Sequence, residues 1–267
     1  MVDERSPSQD DVREARPNIR PQPRSGHIPL RAVLFDLFHT LVDMRHVPQM
    51  TSTADLLGID PREWSRVVVE SSPHHALGTV KDPVESVRII AHAIDPTIPE
   101  ERIREAARQR PQRFRAALVE VQPEILAALE AIRATGLPMA LISNAGLDEI
   151  EAWNQSPLAA FFEAAFFSCH EGVMKPDVEI YQRAARRLGV DAQNCLFVGD
   201  GGSREHEGAR QARMRTLLFL PMLAHSYPEI AEQRPRNTDW IIEQVDELPA
   251  LIRQLRTGGM PPMPALA

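Results

Sequence analysis

The stretch Arg31-Ala-Val-Leu-Phe-Asp-Leu-Phe-His-Thr-Leu-Val-Asp43 decides the fold that this sequence predicts. Its apolar run from Ala32 to Phe35 is typical of a buried strand in a parallel sheet. The run stops at Asp36, and a buried carboxylate needs a compensating partner because desolvation of its charge is costly. Asp36 is therefore a candidate functional residue, although an aspartate at this point can also cap a helix or order a turn.

Composition places the chain among ordinary globular proteins. Its 267 residues suffice for one large domain or two smaller ones, and 43% of them are hydrophobic and 25% charged. The net charge of −7, with no long basic block to offset it, argues against a general nucleic-acid binder. No apolar run approaches the roughly 20 residues that cross a bilayer, so we expect no membrane partner. The N-terminus lacks the apolar segment of a secretory signal, and a cytoplasmic location is the default expectation.

Lysine and cysteine are both rare in this chain. The two cysteines, Cys169 and Cys195, have no metal-binding or redox spacing, and Cys195 opens an apolar run as a small core residue would. There are 28 arginines but only two lysines, Lys81 and Lys175. Because a compact ammonium differs chemically from a guanidinium, each lysine invites a specific explanation.

The chain divides into segments by composition and periodicity. Residues 1–28 are polar, rich in Arg, Asp and Pro, and are predicted to form a disordered N-terminal arm. Residues 46–119 show only helical periodicity. Residues 29–45 and 120–256 together read as one core domain, and the Gly/Pro-rich tail at 257–267 is predicted to be flexible. The 46–119 segment is therefore predicted to be a helical domain inserted into the core.

The core segments predict an α/β fold. Alternation of strands with helices indicates a Rossmann-like parallel sheet with helices on both faces, plus the inserted all-helical domain. In such sheets the ligand crevice lies beyond the carboxyl ends of the strands. Asp36, Ser143 and Asp200 each follow a predicted strand, so we expect them at one sheet edge. Within the inserted helices, Pro111 is expected to break or kink the chain.

The chain contains four short motifs, in this order: Asp36-Leu-Phe-His-Thr40, Ser143-Asn144, Lys175-Pro176 and Gly199-Asp200-Gly-Gly-Ser-Arg-Glu205. Together they resemble the motifs of the haloacid dehalogenase-like hydrolase superfamily, in its phosphatase-like branch. The resemblance covers residues 31 to 256, and the helical insertion lies where that family has a type 1 cap. It implies a hydrolase, and more narrowly a phosphoric monoester hydrolase acting on a small phosphorylated substrate.

The resemblance implies catalytic and substrate-binding roles. Asp36 would be the nucleophile that forms an aspartyl-phosphate. Ser143 and Lys175 would complete the catalytic set by binding and neutralising the phosphoryl oxygens. Thr40 and Asn144, together with Ser143 and Lys175, would line the substrate site. From the residues alone, Ser143 can equally be a helix N-cap, Lys175 a solvated loop residue and Thr40 a structural residue that ties the loop.

A Mg²⁺ cofactor is also implied. The resemblance assigns it to the carboxylates of Asp36, Asp200 and Glu205 and to the main-chain carbonyl of Phe38. Asp200 can alternatively order a tight turn, and Glu205 can be a first-turn helix acid. For Glu207 the helix-acid interpretation is preferred.

Position 38 departs from the family pattern. Family phosphatases usually carry a second aspartate there as general acid and base, whereas Phe38 can do neither, and His39 replaces the usual glycine. The haloacid dehalogenases also lack that aspartate, but they need no metal and their fourth motif differs from Gly199-Asp200. The substitute proton donor would be the substrate or one of four histidines: His39, His46, His74 or His75.

Three hypotheses follow for the activity. The first is a Mg²⁺-dependent phosphatase, the second a metal-independent 2-haloacid dehalogenase, and the third a phosphate- or protein-binding module without turnover. Substrate identity would depend on the inserted helices, where Arg88, Arg113 and Arg115 are candidates to meet an anionic substrate. The sequence leaves open whether the protein is a monomer or a homodimer.

Overall fold

The computed structural model describes residues 29–44, 47, 50–70 and 72–257. The predicted N-terminal arm, the tail beyond residue 257 and His46 lie outside these residues. Among the residues described, no helix is both long and apolar enough to cross a bilayer.

A six-stranded parallel sheet forms the centre of the structure. Its strands are β1 (Ala32–Phe35), β2 (Met139–Ser143), β3 (Ala164–Phe167), β4 (Cys195–Gly199), β5 (Arg215–Phe219) and β6 (Trp240–Ile242). Their spatial order is β3-β2-β1-β4-β5-β6, and every neighbouring pair is parallel. This is the Rossmann-like arrangement, so the predicted fold class is confirmed, and β1 has the predicted bounds.

The position of β1 explains why the first motif lies where it does. Val33 pairs with Met139 of β2 on one side and with Leu196 of β4 on the other. From β1 the chain builds outward to β2 and β3, and then returns to add β4, β5 and β6 on the opposite side. A crevice opens at such a reversal in doubly wound sheets. Asp36 and Asp200 follow the two strands that border it.

Thirteen α-helices surround the sheet in the part of the chain that the structure describes. The inserted segment contains α1 (Thr53–Leu57), α2 (Pro61–Glu70), α3 (Ser72–Ala76), α4 (Pro83–Ile94) and α5 (Glu100–Val119). The remainder are α6 (Pro123–Arg133), α7 (Leu147–Ile150), α8 (Ser168–Glu171), α9 (Val178–Arg187), α10 (Glu205–Gln211), α11 (Pro221–Ser226), α12 (Pro228–Gln233) and α13 (Glu247–Arg256).

Both faces of β1 are buried, which accounts for its uninterrupted apolar sequence. Val33 and Phe35 face one apolar cluster, which α6 and α13 complete. Ala32 and Leu34 face a second cluster, to which α9 and α10 contribute. The sheet is therefore the middle layer of three, as the predicted pattern requires.

The inserted helices have an apolar cluster of their own, confined to residues 54–107. The long helix α5 runs without interruption through Pro111, so the expectation of a break there is wrong. Proline in a helix interior costs about 3 kcal/mol or more. Here that cost is offset by the residues on both sides of Pro111. Ala107 and Phe114 are buried in the core, and Arg110 is paired with Asp148 and Glu149.

The segment between β5 and β6 was not predicted as helical. It forms α11 and α12, two six-residue helices that each begin at a proline. Short helices carry too few turns for a periodic apolar stripe, and Pro221 and Pro228 suggest turns as readily as helix starts.

Candidate active site

The loop after β1 holds Asp36 in a fixed position. The Asp36 N–H donates to the carbonyl of Val198 at 2.9 Å, which extends the β1–β4 ladder by one residue. The Thr40 hydroxyl donates to Asp36 Oδ2 at 2.9 Å. His39 has a left-handed backbone with φ of 65°, a conformation that residues other than glycine rarely adopt. The tight turn directs the Asp36 carboxylate across the end of the sheet.

Lys175 reaches the same point from the loop after α8. Its ammonium is only 3% exposed and donates to Asp36 Oδ1 and, at 2.7 Å, to Glu205 Oε2. Burial alone would lower the pKa of Lys175, but the charges of Asp36 and Glu205 outweigh it and raise the pKa. Lys175 is therefore a permanent cation between two buried carboxylates.

Asn144 fixes the main chain of Lys175. Its amide nitrogen donates to the Lys175 carbonyl at 2.9 Å, and its amide oxygen accepts from the Lys175 N–H at 2.8 Å. Ser143 is buried at the end of β2, directly before it. Ser143 thus lies at the same sheet edge, whereas the Asn144 amide is committed to positioning Lys175.

The loop after β4 supplies the other two carboxylates. Asp200 Oδ1 accepts from the Gly202 N–H at 3.0 Å, and Glu205 Oε1 accepts from the Gly201 N–H at 2.8 Å. Glu205 approaches the strand so closely that a Cβ on Gly199 would lie 2.2 Å from its Oε1. Only glycine leaves room for that carboxylate.

The three carboxylates form a site suited to a hard cation. One oxygen each from Asp36, Asp200 and Glu205 lies within 4.8 Å of the others, and all three residues are buried. Burial raises the pKa of Glu205 to about 8; Lys175 opposes this shift, while the crowding of Asp36 and Asp200 adds to it. A divalent cation would relieve that crowding, and carboxylate oxygens are the ligands that Mg²⁺ prefers. The donor set therefore fits a metal ion.

Arg234 is part of this site, although no motif or periodicity distinguishes it in the sequence. It follows α12, and its Nη2 pairs with Asp200 Oδ2. Burial raises the pKa of Asp200, but Arg234, with His39 and the Gly202 N–H, outweighs it and lowers the pKa. We call Asp36, Lys175, Asp200, Glu205 and Arg234 the strand-end cluster.

Phe38 has a packing role. Its ring meets the ring of Phe114 from α5 edge to face, with centroids 5.2 Å apart. His39, one position on, lies against the ring of Tyr227 at 5.1 Å. The residue at the position of the family's second aspartate therefore contacts the inserted helices.

The other predicted histidines and arginines lie in different surroundings. His74 is exposed on α3, and Arg88 pairs with Glu85 and Glu100 on the insertion surface. Arg113 is half-buried and donates to the Met44 carbonyl at 3.1 Å, while Arg115 is exposed.

A second buried ion cluster joins the insertion to the core, and we call it the interface cluster: His75, Arg110, Asp148 and Glu149. Arg110 Nε donates to Asp148 Oδ2 at 2.7 Å, and its Nη2 donates to Glu149. His75 Nε2 lies 3.3 Å from Glu149 Oε1, while its Nδ1 contacts the Ser86 hydroxyl at 2.7 Å. The contacts of His75, predicted as a possible proton donor, are thus with Ser86 and with the other members of the interface cluster.

Comparison with known proteins places this geometry in context. The family model of the haloacid dehalogenase-like hydrolases matches residues 30–213. Glyceraldehyde 3-phosphate phosphatase of Methanopyrus kandleri is 28% identical over 144 residues, which cover 52% of this chain and 59% of the relative. (S)-2-haloacid dehalogenase 2 of a Pseudomonas species is 28% identical over 130 residues, which cover 48% of this chain and 54% of the relative. The chain thus spans less than two thirds of the length of these curated relatives.

A solved structure has a similar fold. The L-2-haloacid dehalogenase of Xanthobacter autotrophicus with chloropropionic acid covalently bound superposes with a TM-score of 0.61 at 19% identity. The match covers 84% of this chain and 98% of that one. At this identity the likeness concerns the fold.

Proposed function

Because the chain belongs to the haloacid dehalogenase-like hydrolase family, we propose that it is a Mg²⁺-dependent phosphatase of a small phosphorylated metabolite. The observation that carries this proposal is the convergence of three buried carboxylates and Lys175 at the ends of β1 and β4. The curated relative named glyceraldehyde 3-phosphate phosphatase supports phosphate chemistry.

The proposed reaction proceeds in two displacements on phosphorus. A carboxylate oxygen of Asp36 attacks phosphorus, the bond to the ester oxygen breaks, and the departing alcohol takes up a proton. Water then attacks the aspartyl-phosphate, which releases inorganic phosphate and restores the Asp36 carboxylate. Phe38 has no exchangeable proton, so both proton transfers must use another group or the substrate itself.

The surrounding residues would orient and neutralise the phosphoryl group. Lys175 holds Asp36 and offers positive charge to the phosphoryl oxygens, an effect that is strongest in a closed, water-poor site. The Thr40 hydroxyl contacts Asp36, Ser143 ends the neighbouring strand β2, and Asn144 keeps the Lys175 main chain in place. The inserted helices would act as a cap that closes over the site and contacts the rest of the substrate.

Mg²⁺ would be held by the carboxylates of Asp36, Asp200 and Glu205 and the carbonyl of Phe38. Its chemistry there is to neutralise the repulsion between the anionic nucleophile and the anionic phosphate.

The test is a phosphate-release assay over a panel of phosphorylated metabolites, with Mg²⁺ or with EDTA. We expect release that requires Mg²⁺ and is abolished in Asp36→Asn. Absence of turnover across a broad panel would count against the proposal. In that case a module without turnover would bind vanadate, and Asp36→Ala would bind it equally well.

Phe38→Asp tests whether the missing acid limits the rate. We expect faster phosphate release than in the parent protein, because an aspartate there can protonate the leaving group. Phe38→Asn is the matched control, because asparagine is polar and of the same size as aspartate but cannot donate an acidic proton. Equal rates in both variants would show that protonation is not limiting.

Metal-independent hydrolysis of a 2-haloacid is the second candidate. Two features favour it: the aromatic residue at position 38 and the pairing of Asp200 with the chain's own Arg234. It predicts halide release from 2-chloropropionate in the presence of EDTA. A Mg²⁺ requirement, or no halide release, would exclude it.

A further inference from the structure

Every carboxylate oxygen of the strand-end cluster already accepts a hydrogen bond from the chain. Thr40 and Lys175 donate to the two oxygens of Asp36. The Gly201 N–H and Lys175 donate to those of Glu205, and the Gly202 N–H and Arg234 to those of Asp200. A metal ion that binds here must therefore displace or share a donor that the protein supplies.

The two cations of the cluster differ in how easily they can be displaced. Lys175 is almost completely buried and is shared between two carboxylates. The Arg234 side chain is 22% exposed and pairs with Asp200 through Nη2, while its Nε is buried without a hydrogen-bond partner. A guanidinium binds a carboxylate most strongly as a two-pronged fork, and this pairing does not use Nε. Arg234 is thus the weaker and more accessible of the two donors.

Gly202 makes space for this pairing. A Cβ at that position would lie 3.1 Å from Asp200 Oδ1 and 3.3 Å from Arg234 Nη2. Contacts this short would force one of the two groups to shift. The loop after β4 is therefore shaped so that the guanidinium reaches the carboxylate.

From these contacts we propose that Arg234 is an internal counter-ion that competes with a divalent metal ion for Asp200 and so sets the metal affinity. The proposal rests on the metal site of the proposed function. When all three carboxylates are ionised, as metal binding requires, Lys175 and Arg234 leave the cluster with one net negative charge, whereas without Arg234 it carries two. Attraction for a divalent cation is greater in the second case, and Asp200 Oδ2 is then free to bind it.

The test is calorimetric titration of the full-length protein with MgCl₂ in the absence of substrate. We expect Arg234→Gln to bind Mg²⁺ more tightly than the parent by about tenfold or more, because one nearby positive charge is removed. Arg236→Gln is the matched control: it makes the same charge change two residues away, where the side chain is 50% exposed and lies 3.7 Å from Glu243. Equal affinity in Arg234→Gln and the parent, or an equal gain in Arg236→Gln, would overturn the proposal. No binding by any of the three proteins would also overturn it.

A measurement on the unmodified protein covers the case in which Arg234→Gln does not fold. The Nε–H signal of Arg234 is assigned in the NMR spectrum of the isotope-labelled parent protein by through-bond correlation to its own backbone. We expect this signal to shift on addition of saturating Mg²⁺, because the guanidinium leaves Asp200. A signal that stays in place would contradict the proposal. Since neither measurement involves a substrate, failure of phosphatase activity would leave the outcome of this test unchanged.

Discussion

The strand-end cluster and the interface cluster are built from the same kinds of group, yet their geometry differs. In the interface cluster, two acids from one helical turn converge on a single guanidinium, Arg110. In the strand-end cluster, acids from two separate strand ends converge on one another, Lys175 lies between two of them and Arg234 pairs with the third. In the first arrangement the acids surround one shared cation, whereas in the second three carboxylates lie within reach of one point. Convergence of like charges is what distinguishes a site for a ligand from an ion pair that joins two parts of a fold.

Removal of the buried cation from each cluster should give the largest contrast in activity. We expect Lys175→Met to slow phosphate release roughly 10²- to 10³-fold, as loss of a preorganised charge at a reaction centre does. Arg110→Met should change the rate less than tenfold when assayed well below its melting temperature. Lys81→Met, at the only other lysine, is an exposed control. A Lys175→Met protein with the parent rate would remove Lys175 from the mechanism.

Arg110→Met should lower the free energy of unfolding more than Arg108→Met does. It leaves Asp148 and Glu149 buried without their cation, a change that costs about 3 to 5 kcal/mol. Arg108→Met on the same helix removes an arginine that is 63% exposed and should cost less than about 1 kcal/mol. Urea unfolding measures both. Equal losses in the two variants would mean that the interface cluster does not stabilise the fold.

The interface cluster should also make the free energy of unfolding depend on pH. Burial alone would raise the pKa of Glu149, but Arg110 and His75 outweigh it and lower the pKa from 4.5 to about 2. The unfolded chain therefore binds a proton at a higher pH than the folded one. The stabilisation is complete above pH 4.5 and is lost as the pH falls through about 2.

Glu149→Gln tests this pH dependence. By pH 3, Glu149 should account for about 2 kcal/mol of the lost unfolding free energy. The variant should accordingly lose less stability between pH 6 and pH 3 than the parent does, as measured by urea unfolding. Glu124→Gln, at an exposed position, is the matched control. Parallel losses in all three proteins would contradict the assignment.

The smallest expected effect concerns the contact that links the two clusters. Phe38, in the loop after β1, contacts Phe114, and the Phe114 ring centroid lies 4.7 Å from the guanidinium carbon of Arg110. A double-mutant cycle of Phe38→Leu and Phe114→Leu should yield a coupling of about 0.5 to 1.5 kcal/mol, the usual range for an edge-to-face pair. A coupling near zero would show that Phe38 merely fills space.

Sequence patterns identify Asp36, Lys175 and Asp200 as site residues, but they do not identify Arg234. Asp36 and Asp200 end apolar strands, and parallel strands bring such ends together, so local sequence and fold class sufficed to place them. Lys175 was distinguished by the rarity of lysine and by its motif. Arg234 is one of 28 arginines, in a segment without clear periodicity. Its significance comes only from the contact of Arg234, directly after α12, with the loop after β4.

The interface cluster was missed for a related reason. Asp148 and Glu149 look like ordinary acids in the first turn of a helix, and Arg110 looks like a solvated residue on a long charged helix. Neither sequence pattern indicates burial. Their partnership exists because α5 packs across α7, a long-range contact that periodicity does not encode.

The central position of β1 has a consequence for synthesis on the ribosome. Ala32 pairs with Cys195, so the first strand to emerge waits more than 160 residues for one of its two neighbours. The apolar cluster of the insertion is complete by residue 107 and can pack much earlier. Until β4 is made, β1 offers an unpaired apolar edge, which is the kind of surface that promotes aggregation. Translation that pauses before residue 195 should therefore yield a nascent chain with ordered inserted helices, an open sheet and a need for chaperones.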